Sequence, residues 1–138
     1  MAPVRPVVCI ADDDPGIRES LRMLLEDAQY EVCEARDGYE ALAILQAETR
    51  PCVMLLDRMM ARLDGMETLR RFIELPGKIQ RRVTILLMTA RSDPLDPSDA
   101  AFTQPVILAT VQKPFNLDQL LALAAQASGR LDHGGKIT

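Results

Sequence analysis

Four apolar runs in the sequence each stop at a polar side chain able to do chemistry. Val7-Val8-Cys9-Ile10-Ala11 ends at Asp12-Asp13-Asp14, Val53-Met54-Leu55-Leu56 at Asp57, Val83 to Met88 at Thr89, and Val106 to Val111 at Gln112-Lys113. A lone aspartate after a strand is most often a turn cap, and Asp57 taken alone reads that way. Taken together, three carboxylates repel one another unless a cation is supplied. Oxygen ligands without histidine or cysteine favour Mg2+ or Mn2+ over zinc. A carboxylate nucleophile, a hard divalent ion, a lysine and a hydroxyl form an apparatus for accepting a phosphoryl group, because that transfer is mostly charge neutralisation and positioning. The product would be an aspartyl phosphate.

The elements that must position these residues follow from the apolar periodicity. Unbroken apolar runs of this length read as strands buried on both faces. Asp14-Pro15 starts a first helix, aspartate as N-cap and proline at the first position, with Ile17, Leu21, Leu24, Leu25 and Ala28 on one face. Tyr30 to Ala35 reads as a strand and Asp37-Gly38 as a turn, and Ala41, Leu42, Ile44 and Leu45 mark a second helix ending near Pro51. Asp64 and Glu67 have the spacing of a capping box for a third helix, whose buried face is Met66, Leu69, Phe72 and Ile73 and which stops at Leu75-Pro76-Gly77. Pro94, Pro97 and Pro105 leave at most Pro97 to Thr103 for a fourth helix, so a short or disordered one is expected. Asn116 caps a last helix from Leu117 to about Ala127, ending before Gly129. Strands alternating with helices predict an α/β fold, a doubly wound parallel sheet with its ligand site beyond the C-terminal strand ends. The expected organisation is one domain over residues 1–128 and a flexible tail over 129–138.

Composition removes several function classes. The 138 residues carry 16 basic and 20 acidic side chains, net −4, with no clustered cationic face for nucleic acid or anionic lipid. Nothing beyond the last helix remains to read DNA. The N-terminus lacks the pattern of a signal peptide, and no apolar run approaches the ~20 residues that span a bilayer. A cytoplasmic protein with no DNA or membrane partner is therefore expected. Cys9, Cys33 and Cys52 lie singly in strand-like segments, which predicts buried reduced thiols. His133, the one histidine, sits in the glycine-containing tail, which argues against histidine-dependent chemistry.

The segments ADDDP, LLDRMMARLDG, LLMTA and QKPF, in this order over about Val7 to Ala127, resemble the receiver domain of two-component response regulators. The resemblance implies a flavodoxin-like five-stranded sheet of order 2-1-3-4-5. It implies Asp57 as phosphoacceptor, Asp12, Asp13 and Asp57 as ligands of Mg2+ or Mn2+, and Met59 as a metal ligand through its backbone carbonyl. Thr89 corresponds to the switch hydroxyl and Lys113 to the lysine that pairs with the phosphoryl group. Lys113-Pro114 is expected as a cis peptide. The implied partners are a histidine kinase or histidine phosphotransfer protein and a downstream protein target. Catalysis would be limited to the domain's own phosphoryl transfer and slow dephosphorylation. The alternative is a receiver-fold interaction module whose output does not depend on phosphorylation.

The sequence also departs from that family pattern. Ala61 stands where a proline is usual, which predicts a less rigid loop, and Thr110 stands where many members carry an aromatic that turns inward on activation. Residues 91 to 105 replace the usual fourth helix, which points to order and disorder of that segment as the output device. Met59 and Arg91, two residues beyond Asp57 and Thr89, are neither acid nor amide, which predicts slow loss of phosphate. Arg58, Arg62 and Arg91 read as solvated charges or, functionally, as a rim that steers a phosphodonor. An aspartate-nucleophile phosphatase would want an acid at Met59, and a flavodoxin would not place an acidic loop against the cofactor's phosphate.

Overall fold

Apolar runs that are unfavourable in water pair here into one sheet; the computed structural model describes residues 6–90 and 107–132. The strands β1 (Val7–Ala11), β2 (Val32–Ala35), β3 (Cys52–Asp57), β4 (Val83–Ala90) and β5 (Ile107–Lys113) are all parallel, in the order β2-β1-β3-β4-β5. This is the flavodoxin-like order expected from the sequence. The helices are α1 (Pro15–Asp27), α2 (Gly38–Ala47), α3 (Gly65–Phe72), the four-residue α4 (Gly77–Gln80) and α5 (Leu117–Asp132). Among the described residues no helix is long and apolar enough to cross a membrane.

Strand alternation divides the interior into two cores. Val8, Ile10, Val53, Leu55, Leu86 and Met88 pack against Leu21 and Leu25 of α1 and Leu120, Ala124 and Ala127 of α5. Their neighbours Cys9, Met54, Leu56, Ile85 and Leu87 pack against Leu42 and Leu45 of α2 and Leu69 and Phe72 of α3. Because both faces are covered, every residue of β1 and β3 is buried, which is why these strands read as unbroken apolar runs.

Three aspartates start helices. Asp14 accepts the backbone N–H groups of Gly16 at 2.8 Å and Ile17 at 3.4 Å, with Pro15 at the first helical position. Asp37, expected in a turn, instead caps α2, accepting the Glu40 N–H at 2.9 Å, so the helix begins at Gly38. Asp64 accepts the Glu67 N–H at 2.8 Å, but the Glu67 carboxylate turns to Arg70 and Arg71, so only half of the expected capping box forms.

Several boundaries differ from the sequence expectation. The short α4 follows Pro76, too brief to carry a periodic signal. β5 runs on to Lys113, so the lysine belongs to the strand itself. α5 crosses Gly129 and continues to Asp132, so the helix runs past the end expected before Gly129. A helical glycine costs only about 1 kcal/mol, and Leu131, 5% exposed, returns burial against the α1 side of the sheet. Cys9 and Cys52 are buried, whereas Cys33 is only partly so, and all three are free thiols. The Lys113–Pro114 peptide is cis, as expected. The expected short helix between Arg91 and Pro105, Arg91 itself, Val106 and the tail beyond Asp132 lie outside the described residues.

Candidate functional site

The sheet brings the polar strand ends to one edge. Ala11 is paired with Leu56, so the next residues, Asp12 and Asp57, stand level on neighbouring strands. Asp57 is in turn paired with Met88, one residue before Thr89, and Lys113 is paired with Ala90. Asp12, Asp57 and Thr89 are all buried, Thr89 at 3% exposure, while Asp13 faces solvent.

Lys113 joins the two buried carboxylates. Its Nζ donates to Asp12 Oδ2 at 2.7 Å and lies 3.3 Å from Asp57 Oδ1. The other Asp12 oxygen accepts the Asp14 N–H at 2.9 Å. Burial works against the Lys113 ammonium, but its hydrogen bond to Asp12 and the charges of Asp57 and Asp12 outweigh that and raise its pKa. Asp57 is shifted the other way for a carboxylate: burial first, then the neighbouring Asp12 charge, push it from 3.8 to about 6. Lys113 and the Met59 N–H only partly offset this.

Asp12, Asp13 and Asp57 each offer an oxygen within 4.8 Å of the others. An all-carboxylate set of this size, with one lysine as its internal cation, fits a hard divalent ion of the Mg2+ or Mn2+ kind. The Asp13 Oδ2 atom also accepts the Ala61 N–H at 3.0 Å, tying the acidic pair to the loop after β3.

Three supporting features carry weak sequence signals. Gly65 donates its N–H to the Arg58 carbonyl at 2.9 Å, and a Cβ there would fall 2.3 Å from the Asp57 carbonyl oxygen. Only glycine lets α3 begin so close to the Asp57 backbone. Arg18 donates from Nη1 to the Asp12 carbonyl at 2.7 Å and from Nε to Glu34 Oε1 at 3.0 Å. Arg22 holds the second Glu34 oxygen at 2.7 Å, so β2 and α1 together clamp the peptide that joins the two acidic residues. The signal for this clamp was two arginines four residues apart on α1, facing a lone glutamate on β2.

The arginines named as a possible rim behave differently from one another. Arg62, in a left-handed backbone conformation at φ 69°, turns away to Asp37 at 2.9 Å and over the Tyr39 ring, 5.4 Å from its centroid. Arg58 has a buried Nη1 without a hydrogen-bond partner among the described residues. Met59 is 60% exposed and Thr110 is exposed on β5.

A five-stranded doubly wound sheet with an acidic triad and a lysine at its C-terminal edge defines a class of signalling domain, and comparison with known proteins agrees. Residues 8–125 match the model of the response regulator receiver domain. The chain belongs to that family and is a receiver domain of the two-component type. It is 39% identical over 123 residues to a response regulator MprA of Mycobacterium sp. strain KMS, covering 87% of this chain and 48% of that protein. The corresponding Mycobacterium avium strain 104 protein is 38% identical over 118 residues, covering 83% and 47%. The chain thus spans about half the length of these curated relatives. Among solved structures, the CheY-like receiver domain protein of Methanospirillum hungatei JF-1 superposes with a TM-score of 0.81 at 25% identity, covering 93% of this chain and 98% of that one. The receiver domain of Francisella response regulator 1452 gives 0.77 at 25% identity, covering 91% and 98%.

Two predictions follow from this geometry. Asp57 binds its proton more tightly in the folded chain than in the unfolded one, so between about pH 4 and pH 6 the folded state holds more protons and stability falls as pH rises. Asp57→Asn is expected to flatten that slope and to raise metal-free stability at pH 7 by roughly 2 kcal/mol in urea titrations with chelator present. Arg18→Met and Glu34→Gln, which release the Asp12 peptide, are expected to weaken Mn2+ binding by about tenfold in calorimetry while leaving the sheet's circular dichroism unchanged.

Proposed function

We propose that this receiver domain accepts a phosphoryl group on Asp57 from the phosphohistidine of a histidine kinase or histidine phosphotransfer protein, and signals by contact with a downstream protein. The observation that carries this reading is the Lys113 ammonium held between the Asp12 and Asp57 carboxylates.

An Asp57 pKa of about 6 leaves the carboxylate mostly ionised at pH 7, yet more basic and so more nucleophilic than an exposed aspartate. Its oxygen attacks phosphorus, a P–O bond forms, the P–N bond of the donor breaks, and the imidazole leaves with a proton. Lys113 moves its hydrogen bond from carboxylate to phosphoryl oxygen, and the Thr89 hydroxyl donates to the same group. A Mg2+ or Mn2+ ion held by Asp12, Asp13, Asp57 and the Met59 carbonyl would supply the remaining positive charge. The exposed Met59 offers no acid or amide to orient water, which supports slow self-dephosphorylation and no turnover of other substrates.

An apolar groove of about 570 Å3 opens beside Lys113, between Ile17 and Leu24 of α1 and Pro114, Phe115 and Leu117 after β5. A protein donor has the apolar surface to cover it and a small phosphate ester does not, which supports a phosphohistidine protein as the physiological source.

With acetyl phosphate and Mg2+, the wild type is expected to gain one hydroxylamine-labile phosphate by mass spectrometry, and Asp57→Asn and the chelated wild type none. Labelling of Asp57→Asn at the wild-type rate would overturn the assignment. Equal affinity of wild type and Asp57→Ala for a downstream partner would instead favour the phosphorylation-independent module. Leu117→Asp, on the exposed lip of the groove, is expected to slow transfer from a phosphohistidine protein at least tenfold, with acetyl phosphate labelling within about twofold of wild type.

A further inference from the structure

Cys9 and Cys33 are register partners on the adjacent parallel strands β1 and β2. Side chains so paired share a face, and both pack in the core that α2 covers. Adjacent strands lie about 4.7–4.9 Å apart, within the Cα separation of roughly 4.4–6.8 Å that a disulfide spans. Cys9 is fully buried, but Cys33 sits on a four-residue edge strand and is partly exposed. An edge strand has a neighbour on one side only, so it is freer than a central strand to shift as a sulfur–sulfur bond forms.

The two thiols differ in chemistry as well as in access. The close pairing with Cys9 lowers the Cys33 pKa against the effect of burial, and the pairing together with burial raises that of Cys9. Arg22 and Arg50 add to the thiolate's favour and Glu48 opposes it. Cys52, 1% exposed on the same side of the sheet, is pushed up by burial. Cys33 is thus the partly exposed and more easily ionised member, Cys9 is buried beside it, and Cys52 is closed off.

We propose that Cys9 and Cys33 form a hydroperoxide-responsive pair, with Cys33 the attacking thiol and Cys9 the resolving one. The Cys33 thiolate attacks one oxygen of hydrogen peroxide; the O–O bond breaks, Cys33 becomes a sulfenic acid, and the departing hydroxide takes up the proton that Cys33 released on ionising, giving the first water. The Cys9 sulfur then attacks the Cys33 sulfur, the S–O bond breaks, and the departing sulfenic hydroxyl takes the Cys9 proton to give a second water. Overall, two thiols and one peroxide give one disulfide and two waters. The bond would pin β2 to β1 immediately beside Glu34, whose carboxylate holds Arg18 on the Asp12 carbonyl.

The test uses the full chain, natively folded and treated with a few equivalents of hydrogen peroxide. Remaining thiols are then alkylated in denaturant and the protein is digested without reductant for mass spectrometry. The expected product is a peptide pair joined through Cys9 and Cys33, with Cys52 alkylated. Cys9→Ser is expected to stop at a Cys33 sulfenic acid that dimedone traps, and Cys33→Ser to leave Cys9 and Cys52 reduced. Cys33 reacting no faster than Cys52, or a wild-type product in which Cys33 is joined to a second chain or over-oxidised while Cys9 stays free, would overturn the proposal.

Discussion

The site depends on one unfavourable arrangement and the group that relieves it. Two carboxylates, Asp12 and Asp57, are brought level and buried at the C-terminal edge of the sheet, and the Lys113 ammonium, 2.7 Å from one and 3.3 Å from the other, works against their repulsion. The balance is incomplete, since Asp57 still keeps its proton up to about pH 6. An incompletely compensated carboxylate is poorly stable and chemically available at once. The same deficit of positive charge that raises the Asp57 pKa is what a divalent ion or a cation-seeking transition state would draw on.

Keeping that arrangement in place requires rigidity elsewhere. The two cores on opposite faces lock β1 and β3 so that their ends cannot slide apart, because a one-residue slip would turn every buried side chain to the wrong face. Around the ends, short polar contacts do the fine placement. Asp14 both caps α1 and donates its N–H to Asp12, Arg18 takes the Asp12 carbonyl, and Gly65 lets the start of α3 rest on the Asp57 backbone. Charge-assisted bonds such as Arg18 to Glu34, with the arginine side chain 13% exposed, resist solvent better than surface pairs do.

Much of this was legible in the sequence because a parallel sheet buried on both faces leaves an unambiguous trace. An apolar run ending at Asp12 or Asp57 states both the strand and its chemically useful end, and Asp14-Pro15 states a helix start. Less visible were features whose cause is tertiary. Asp37 looks like a turn residue until α2 packs behind it, and α5 crosses Gly129 because Leu131 finds a buried place. The Arg18–Glu34 clamp joins residues 16 apart that no local pattern links. The Lys113 bridge to Asp12 spans 101 positions, and only the sheet order makes it short.

The loop after β3 shows how a substitution that looks like a loss can be offset by the group it frees. Ala61 stands where the family usually places proline, and the sequence alone predicts a looser loop. A proline has no N–H. Ala61 has one, and it donates to Asp13 Oδ2 at 3.0 Å, while Arg62 beside it adopts a left-handed conformation and ties the loop to buried Asp37. Stiffness that a proline ring would supply intrinsically is supplied here by two contacts, and one of them is with a member of the acidic triad. The loop's order is therefore coupled to the charge at Asp13. Anything that draws on that carboxylate is felt two residues before Leu63, whose carbonyl accepts the Gly38 N–H at the start of α2. These contacts form a continuous path from the Asp13 carboxylate through Ala61 and Leu63 to the first residue of α2.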